Sequence, residues 1–237
     1  MRTALAVIPV EGMPQIHPDD VIAELVTLSA REQGTPLLDD DCLVVTQKIV
    51  SKAEGRLVAL DPTDMAARRA LVDSESTRVL RRRGELIISE THHGFVCANA
   101  GVDLSNVDDG QAALLPVEPD RSAKRIRDGV RAYAGVEVAV VVSDTFGRAW
   151  RHGLTDVAIG VSGLAAVVDL RGEHDALGRE LQVTEVAVAD EVASAAELVM
   201  GKAAGVPVAI VRGLDTAWRR EGSARELVRS PSEDLFR

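Results

Sequence analysis

The sequence predicts a mixed α/β fold, and three observations carry that prediction. Stretches with strand character alternate with stretches of helical period along the whole chain. The run 138–142, Val-Ala-Val-Val-Val, is short, largely β-branched and without polar alternation, as befits a strand buried on both faces. A second such run, 42–46, passes directly into a helical pattern, and no repeat or low-complexity segment interrupts the alternation. At 237 residues and 46% hydrophobic content the chain has ample material for a packed core.

Taken in order, residues 3–10 give a first strand, since their apolar run is too short for a signal peptide. His17-Pro18-Asp19-Asp20 supplies a turn and an N-cap for a helix with Val21, Leu25 and Leu28 on one face, closing near Gly34. Asp39, Asp40 and Asp41 introduce the strand 42–46, and 47–56 forms a short helix stopped by Gly55, with Lys48 and Lys52 on one face. Helices fill 62–83 with a break around 73–76. The basic group Arg78, Arg81, Arg82 and Arg83 then closes the second helix at Gly84, where it complements the macrodipole. Residues 85–90 and 95–99 make a hairpin, with Gly94 free to take positive φ. His92 and His93 are its turn residues, His93 being a secondary site candidate. As strand neighbours they point to opposite faces and do not ligate one metal together. The strand 138–142 stops at Ser143 and leaves Asp144 at its mouth. Residues 181–193 pass from a strand into an Ala-rich helix that starts near Thr184 or Glu185 and ends at Gly201. The run 206–213 is an edge or late strand, because Pro207 has no N–H for a ladder.

Composition excludes several classes. A net charge of −10 disfavours nucleic-acid binding, and 3% aromatics leave no stacking platform for single strands. No apolar run reaches bilayer length, so no membrane partner and a cytoplasmic location are expected. Cys42 and Cys97 are isolated in apolar contexts, against a disulfide framework or a Cys-based zinc site. The phosphate-binding Gly-rich loops of P-loop and dinucleotide enzymes are absent, as is the Gly-x-Ser-x-Gly elbow.

Two constellations remain. In 143–151, Ser-Asp-Thr-Phe-Gly-Arg-Ala-Trp-Arg, an acid and a hydroxyl precede two arginines. Such a set holds a metal or phosphate, although turn capping explains Asp144 and Thr145 equally well in isolation. In 100–110, Asp103 and Asn106 offer hard oxygen and amide groups among small residues. A phosphate-bridging metal draws oxygens from more than one segment, which gives the pair its weight. Arg148 and Arg151 suit acidic substrate groups or ordinary salt bridges, and Trp150 is assigned to packing.

Together, segments 44–56, 98–107, 143–151 and 183–191 resemble the coenzyme F420 gamma-glutamyl ligases, including the N-terminal ligase domain of the fused actinobacterial enzyme. The resemblance implies an α+β (mixed α/β) fold with mixed sheets and flanking helices, an intertwined homodimer, and one functional unit over 1–237 without a C-terminal reductase-like domain. It implies a ligase that spends GTP to join L-glutamate to the deazaflavin precursor coenzyme F420-0 through an acyl phosphate, then extends a gamma-linked tail. Mg2+ or Mn2+, as two ions, is the expected metal, with K+ as a further candidate. By motif, Asp103, Asp144, Thr145 and Glu185 hold metal, and Asp144, Lys52 and Arg148 form the catalytic set. GTP contacts fall on Met13, Pro14, Gln15, Ile16, Lys52 and Asn106, and on Val183, Thr184, Glu185, Val186, Ala187, Val188, Ala189 and Asp190. Gln47 joins them at a position where the family can carry Ser. Rival readings of the same acids are a metal-dependent nucleotide hydrolase or phosphatase and a non-catalytic GTP-binding module.

Overall fold

The computed structural model describes residues 4–105 and 110–235, an α+β arrangement of one five-stranded sheet, three smaller sheets and five helices. In chain order the elements are β1 (Ala6–Pro9), α1 (Ile22–Glu32), β2 (Cys42–Thr46), α2 (Gln47–Ala53), β3 (Leu57–Ala59), α3 (Met65–Ser74), β4 (Ser76–Arg83), β5 (Leu86–Thr91) and β6 (Val96–Ala98). They continue with β7 (Gln111–Ala113), α4 (Pro119–Ala134), β8 (Ala139–Arg148), β9 (Arg151–Ser162), β10 (Val168–Asp169), β11 (Glu185–Val186), α5 (Val188–Met200) and β12 (Val208–Arg212).

The main sheet has the order β1-β12-β2-β8-β9, with β2 and β8 parallel and every other pair antiparallel. Successive strand side chains face opposite ways, and both faces are covered. Leu43, Val45, Val140 and Val142 pack with Val26 of α1 and Ile126 and Val130 of α4. Cys42, Val44, Ala139 and Val141 pack on the other side with Val192 and Ala196 of α5. Positions 42–45, 139–142 and 208–211 of the central strands are apolar because neither face meets water there. A third, small cluster of Val72, Ile87 and Ala100 lies where α3 meets the β4-β5-β6 sheet.

Several expectations need correction. The strand opened by residues 138–142 does not stop at Ser143; β8 runs to Arg148 and pairs with β9, with a bulge between Val142 and Ser143. Asp144 is therefore a strand residue whose partner is Val157. On α1 the buried face is Ile22, Val26, Ser29 and Ala30, whereas Val21 and Leu28 are exposed. The N-cap is Val21 without a side-chain bond, and Asp20 accepts instead from the His17 N–H. Residues 76–83 are strand β4, not helix; Thr77, Val79 and the basic side chains suit a half-exposed ribbon paired with β5, and Arg78 and Arg82 pair with Glu90 and Asp73. Helix α5 begins at Val188 after an Ala187 N-cap, so Thr184 and Glu185 precede it. β12 is interior, and Pro207 sits just before it, where its carbonyl accepts from Thr46 N–H. Trp150 is not buried in a core: it is 79% exposed at the β8–β9 turn with φ of 60°.

The hairpin of β5 and β6 is as expected, with Gly94 at φ 90°. His93 stacks on Phe95, whose ring meets the edge of Phe146 on β8, and the hairpin is thereby tied to the central sheet. Both cysteines are buried free thiols, each pushed up to about 12 chiefly by burial, and so inert.

One contact between layers has no room for a side chain. A Cβ added at Gly160 of β9 would lie 2.4 Å from the Pro119 carbonyl oxygen at the start of α4. Gly160→Ala is expected to cost about 2–4 kcal/mol, since rigid backbone must give way. Urea unfolding measures it, and a change under about 0.5 kcal/mol would mean that α4 shifts freely on the sheet.

Candidate functional site

Where β2 and β8 end side by side, their parallel register brings Thr46 next to Ser143. Beyond those ends opens a cleft of about 470 Å³. Its walls are the turn 13–16 after β1, the first turns of α2, the middle of β8, and residues 200–207 between α5 and β12. A larger groove of about 700 Å³ between α5 and the segment after β12 has no basic side chain in its lining.

Lys48, Lys52 and Lys202 all line it, facing Asp144, Thr145 and Asp156. Lys52, on the last turn of α2, is 9% exposed and has no carboxylate partner among the described residues. An ammonium that lines a cleft without a counter-charge is one that an anionic ligand would partner. Lys48, one turn earlier, bonds Ser105 Oγ at 2.6 Å and Asp103 at 3.0 Å. Asp103 is fixed by a two-way backbone bridge to Ala113 and accepts the Ser105 N–H.

The acids are arranged around Asp144. Its carboxyl is pushed up to about 7, first by burial and then by the charges of Asp103 and Asp156, against the Thr145 backbone N–H and Lys48. Asp156, 4% exposed on β9, accepts from Thr145 Oγ1 at 2.6 Å and Ser143 Oγ at 3.2 Å. Lys202 reaches Asp156 and, on α5, Glu197, each at 2.6 Å. Burial opposes the Lys202 ammonium, but its bonds to Asp156 and Glu197 outweigh that and raise its pKa.

Of the residues expected from sequence, Met13, Pro14, Gln15, Ile16, Lys52, Asp144 and Thr145 line this cleft, and Asp103 joins through Lys48. Asn106 lies outside the described residues. Gln47 is fully buried behind the cleft wall, its Oε1 accepting from Ser51 and its Nε2 without a partner. Arg148 turns back on its own hairpin, donating to the carbonyl of His152 at 2.6 Å. The 183–190 stretch does not line the cleft. Thr184 and Val186 belong to the β10–β11 ribbon, which Leu170 and Val168 complete, and Val183 is 86% exposed. Glu185 pairs with Arg171 at 3.3 Å. Val188 and Ala189 are core, Ala187 caps α5, and Asp190 accepts the Ala158 N–H freed at the β9 bulge. His93 bonds the carbonyls of Pro116 and Val117.

Sequence reasoning missed Asp156, Glu197 and Lys202. Asp156 is an acid at the head of the apolar run 157–161, the same signal that marked Asp144, and Lys202 follows the Gly201 that ends α5.

As a metal site the cleft fits on donor chemistry. Two neighbouring carboxyls, Asp103 and Asp144, and the Thr145 hydroxyl are hard oxygens, and Asp144 is raised by burial first and by the neighbouring acids after it. Among the described residues no group of three or more His, Cys, Asp or Glu side chains forms a complete ligand cluster, so any ion would need oxygens from a bound substrate or water.

The cleft thus sets the Lys48, Lys52 and Lys202 ammoniums beside the carboxyls of Asp144 and Asp156. Comparison makes the class specific. The profile of the F420-0:Gamma-glutamyl ligase family matches residues 12–213, and the chain belongs to that family of ligases. It is 45% identical to the coenzyme F420:L-glutamate ligase of Methanothermobacter thermautotrophicus, over 98% of this chain and 99% of that protein. It is 44% identical to the enzyme of the same name from Methanopyrus kandleri, over 98% of each chain. The Archaeoglobus fulgidus enzyme of that name is 40% identical, over 98% of this chain and 96% of its own. Among the described residues no helix is long and apolar enough to cross a membrane.

Proposed function

We propose that this protein joins L-glutamate to the carboxylate of coenzyme F420-0, spending GTP, and extends the product through gamma-linked additions. The observation that carries the reading is Lys52, a cation without a carboxylate partner among the described residues, in the lining of a cleft that it shares with Asp144, Thr145 and Asp156. A nucleotide triphosphate with divalent metal would bring an anion to Lys52 and a cation to the acids.

In this reading Lys52 and Lys48 hold phosphate oxygens and offset the charge that grows on them during transfer. Asp103, Asp144 and Thr145 would hold Mg2+ or Mn2+, which when bound shields the β- and γ-phosphates. The acceptor carboxylate oxygen attacks the γ-phosphorus and GDP leaves. The amine of glutamate then attacks the acyl carbon, loses a proton and expels phosphate. The turn 13–16 closes one end of the cleft, where it would border the nucleotide. In this reading a homodimer would let a second copy present the exposed Val183 and Glu185 to the cleft, whereas Val188 and Ala189 stay in their own chain's core.

The test is a product assay with GTP, Mn2+, L-glutamate and the deazaflavin acceptor. Phosphate release should be matched by a mass gain of one or more glutamyl units, and Lys52→Met should lower kcat/KM by about a hundredfold or more. Phosphate released without glutamate or acceptor would make the protein a hydrolase, and nucleotide binding without turnover would make it a binding module.

A further inference from the structure

Lys202 is half exposed, yet it does not dangle. Its Nζ lies among the Thr145 Oγ1 of β8, the Asp156 Oδ1 of β9 and the Glu197 Oε1 of α5, the last two at 2.6 Å. Holding a long side chain on three elements costs rotamer entropy that an ordinary surface ion pair does not recover. The segment carrying it, between Gly201 and Gly205, is itself a wall of the cleft. The Thr145 hydroxyl has one hydrogen, which goes to Asp156, and it accepts from Lys202. One lone pair is left, and the direction of that lone pair is set by the other two bonds. Glu197 is braced in turn, its second oxygen accepting the Asp156 N–H at 3.0 Å. The ammonium thus offsets Asp156, whose charge acts on Asp144, and Glu197 on α5, while fixing the hydroxyl of Thr145.

We propose that Lys202 is a positioning residue of the cleft, a tethered cation that fixes the Thr145 hydroxyl and sets how strongly the site takes a metal cation relative to a nucleotide anion. The inference rests on the metal and nucleotide reading above, and each probe is offered alone, so the two can be tested apart. Removing one positive charge beside the carboxyls draws a divalent cation in and repels an anion. A purely structural brace, when lost, weakens both.

The measurements are Mn2+ uptake, followed by the electron paramagnetic resonance of the free ion, and metal-free GTP binding by equilibrium dialysis. In Lys202→Met, Mn2+ affinity should rise roughly fivefold or more while metal-free GTP affinity falls by a similar factor. Glu197→Gln should move both the opposite way, the double variant should return both toward the parent, and Lys202→Arg should stay close to it. Both affinities falling together, neither changing, or no rescue by Arg overturns the proposal. A parent protein that takes up neither probe overturns the ligase reading and this inference with it; a parent that binds both, with shifts of the wrong sign, overturns the inference alone.

Discussion

Asp144→Asn is expected to yield a protein that is more stable than the parent at pH 8 and inactive. The folded carboxyl titrates near 7 against an ordinary value of 3.8, because burial and two neighbouring acids penalise its charge. The folded state therefore holds a proton that the unfolded chain has given up between those values. The stability this contributes is complete below about 4 and is lost as pH rises through 7. Asn has no charge to penalise, so its advantage is absent at pH 3 and grows to on the order of 1–3 kcal/mol at pH 8. Ligase turnover should fall about a thousandfold or more, since the same carboxyl is a proposed metal holder. Calorimetric melts at pH 5 and 8, beside the product assay, test both halves. A variant less stable at pH 8, or one that keeps full activity, would remove Asp144 from the metal site.

Arg212→Leu should be the most damaging single change to the fold. Asp41, 1% exposed at the start of β2, receives two bonds at 2.7 Å from the Arg212 guanidinium at the end of β12, and accepts the Leu38 N–H as well. Arg212 also donates to the Pro36 carbonyl. Taking the guanidinium away leaves a carboxylate out of water without its cation, at a cost of about 3–5 kcal/mol. The midpoint of urea unfolding reports it, and pairing the change with Asp41→Asn should recover part of the loss. A loss below about 1 kcal/mol would mean that water reaches Asp41 in the variant.

The site was legible in proportion to how local its signals are. Asp144 stands out because an acid follows an unbroken apolar run, whereas Lys52 enters through the family resemblance, since a lysine one turn after Lys48 is as common on an exposed helix edge. Asp156 carries the same kind of signal on β9, but only the β8–β9 pairing places it opposite Thr145. Lys202 and Glu197 have no signature at all, since a lysine beyond a helix and a glutamate on its face are ordinary in sequence. Residues 76–83 failed for a different reason: their arginines suit a helix end as well as an exposed ribbon, and pairing with β5 decides between them. The face of α1 failed likewise, because Val21, Leu25 and Leu28 make as good an apolar stripe as Ile22, Val26 and Ala30.

By itself the sequence determined the mixed α/β character, the doubly buried strands β2 and β8, the hairpin closed by Gly94, and the acid and lysine motifs of a ligase family. These follow from side-chain period and turn chemistry, which are properties of neighbouring residues. Tertiary structure alone decided that β12 is interior, that Trp150 is exposed, and that Lys202 gathers Thr145, Asp156 and Glu197 into one cluster. Those outcomes depend on which distant strands pair and in what register, and a pairing energy between remote segments leaves no local trace in either of them.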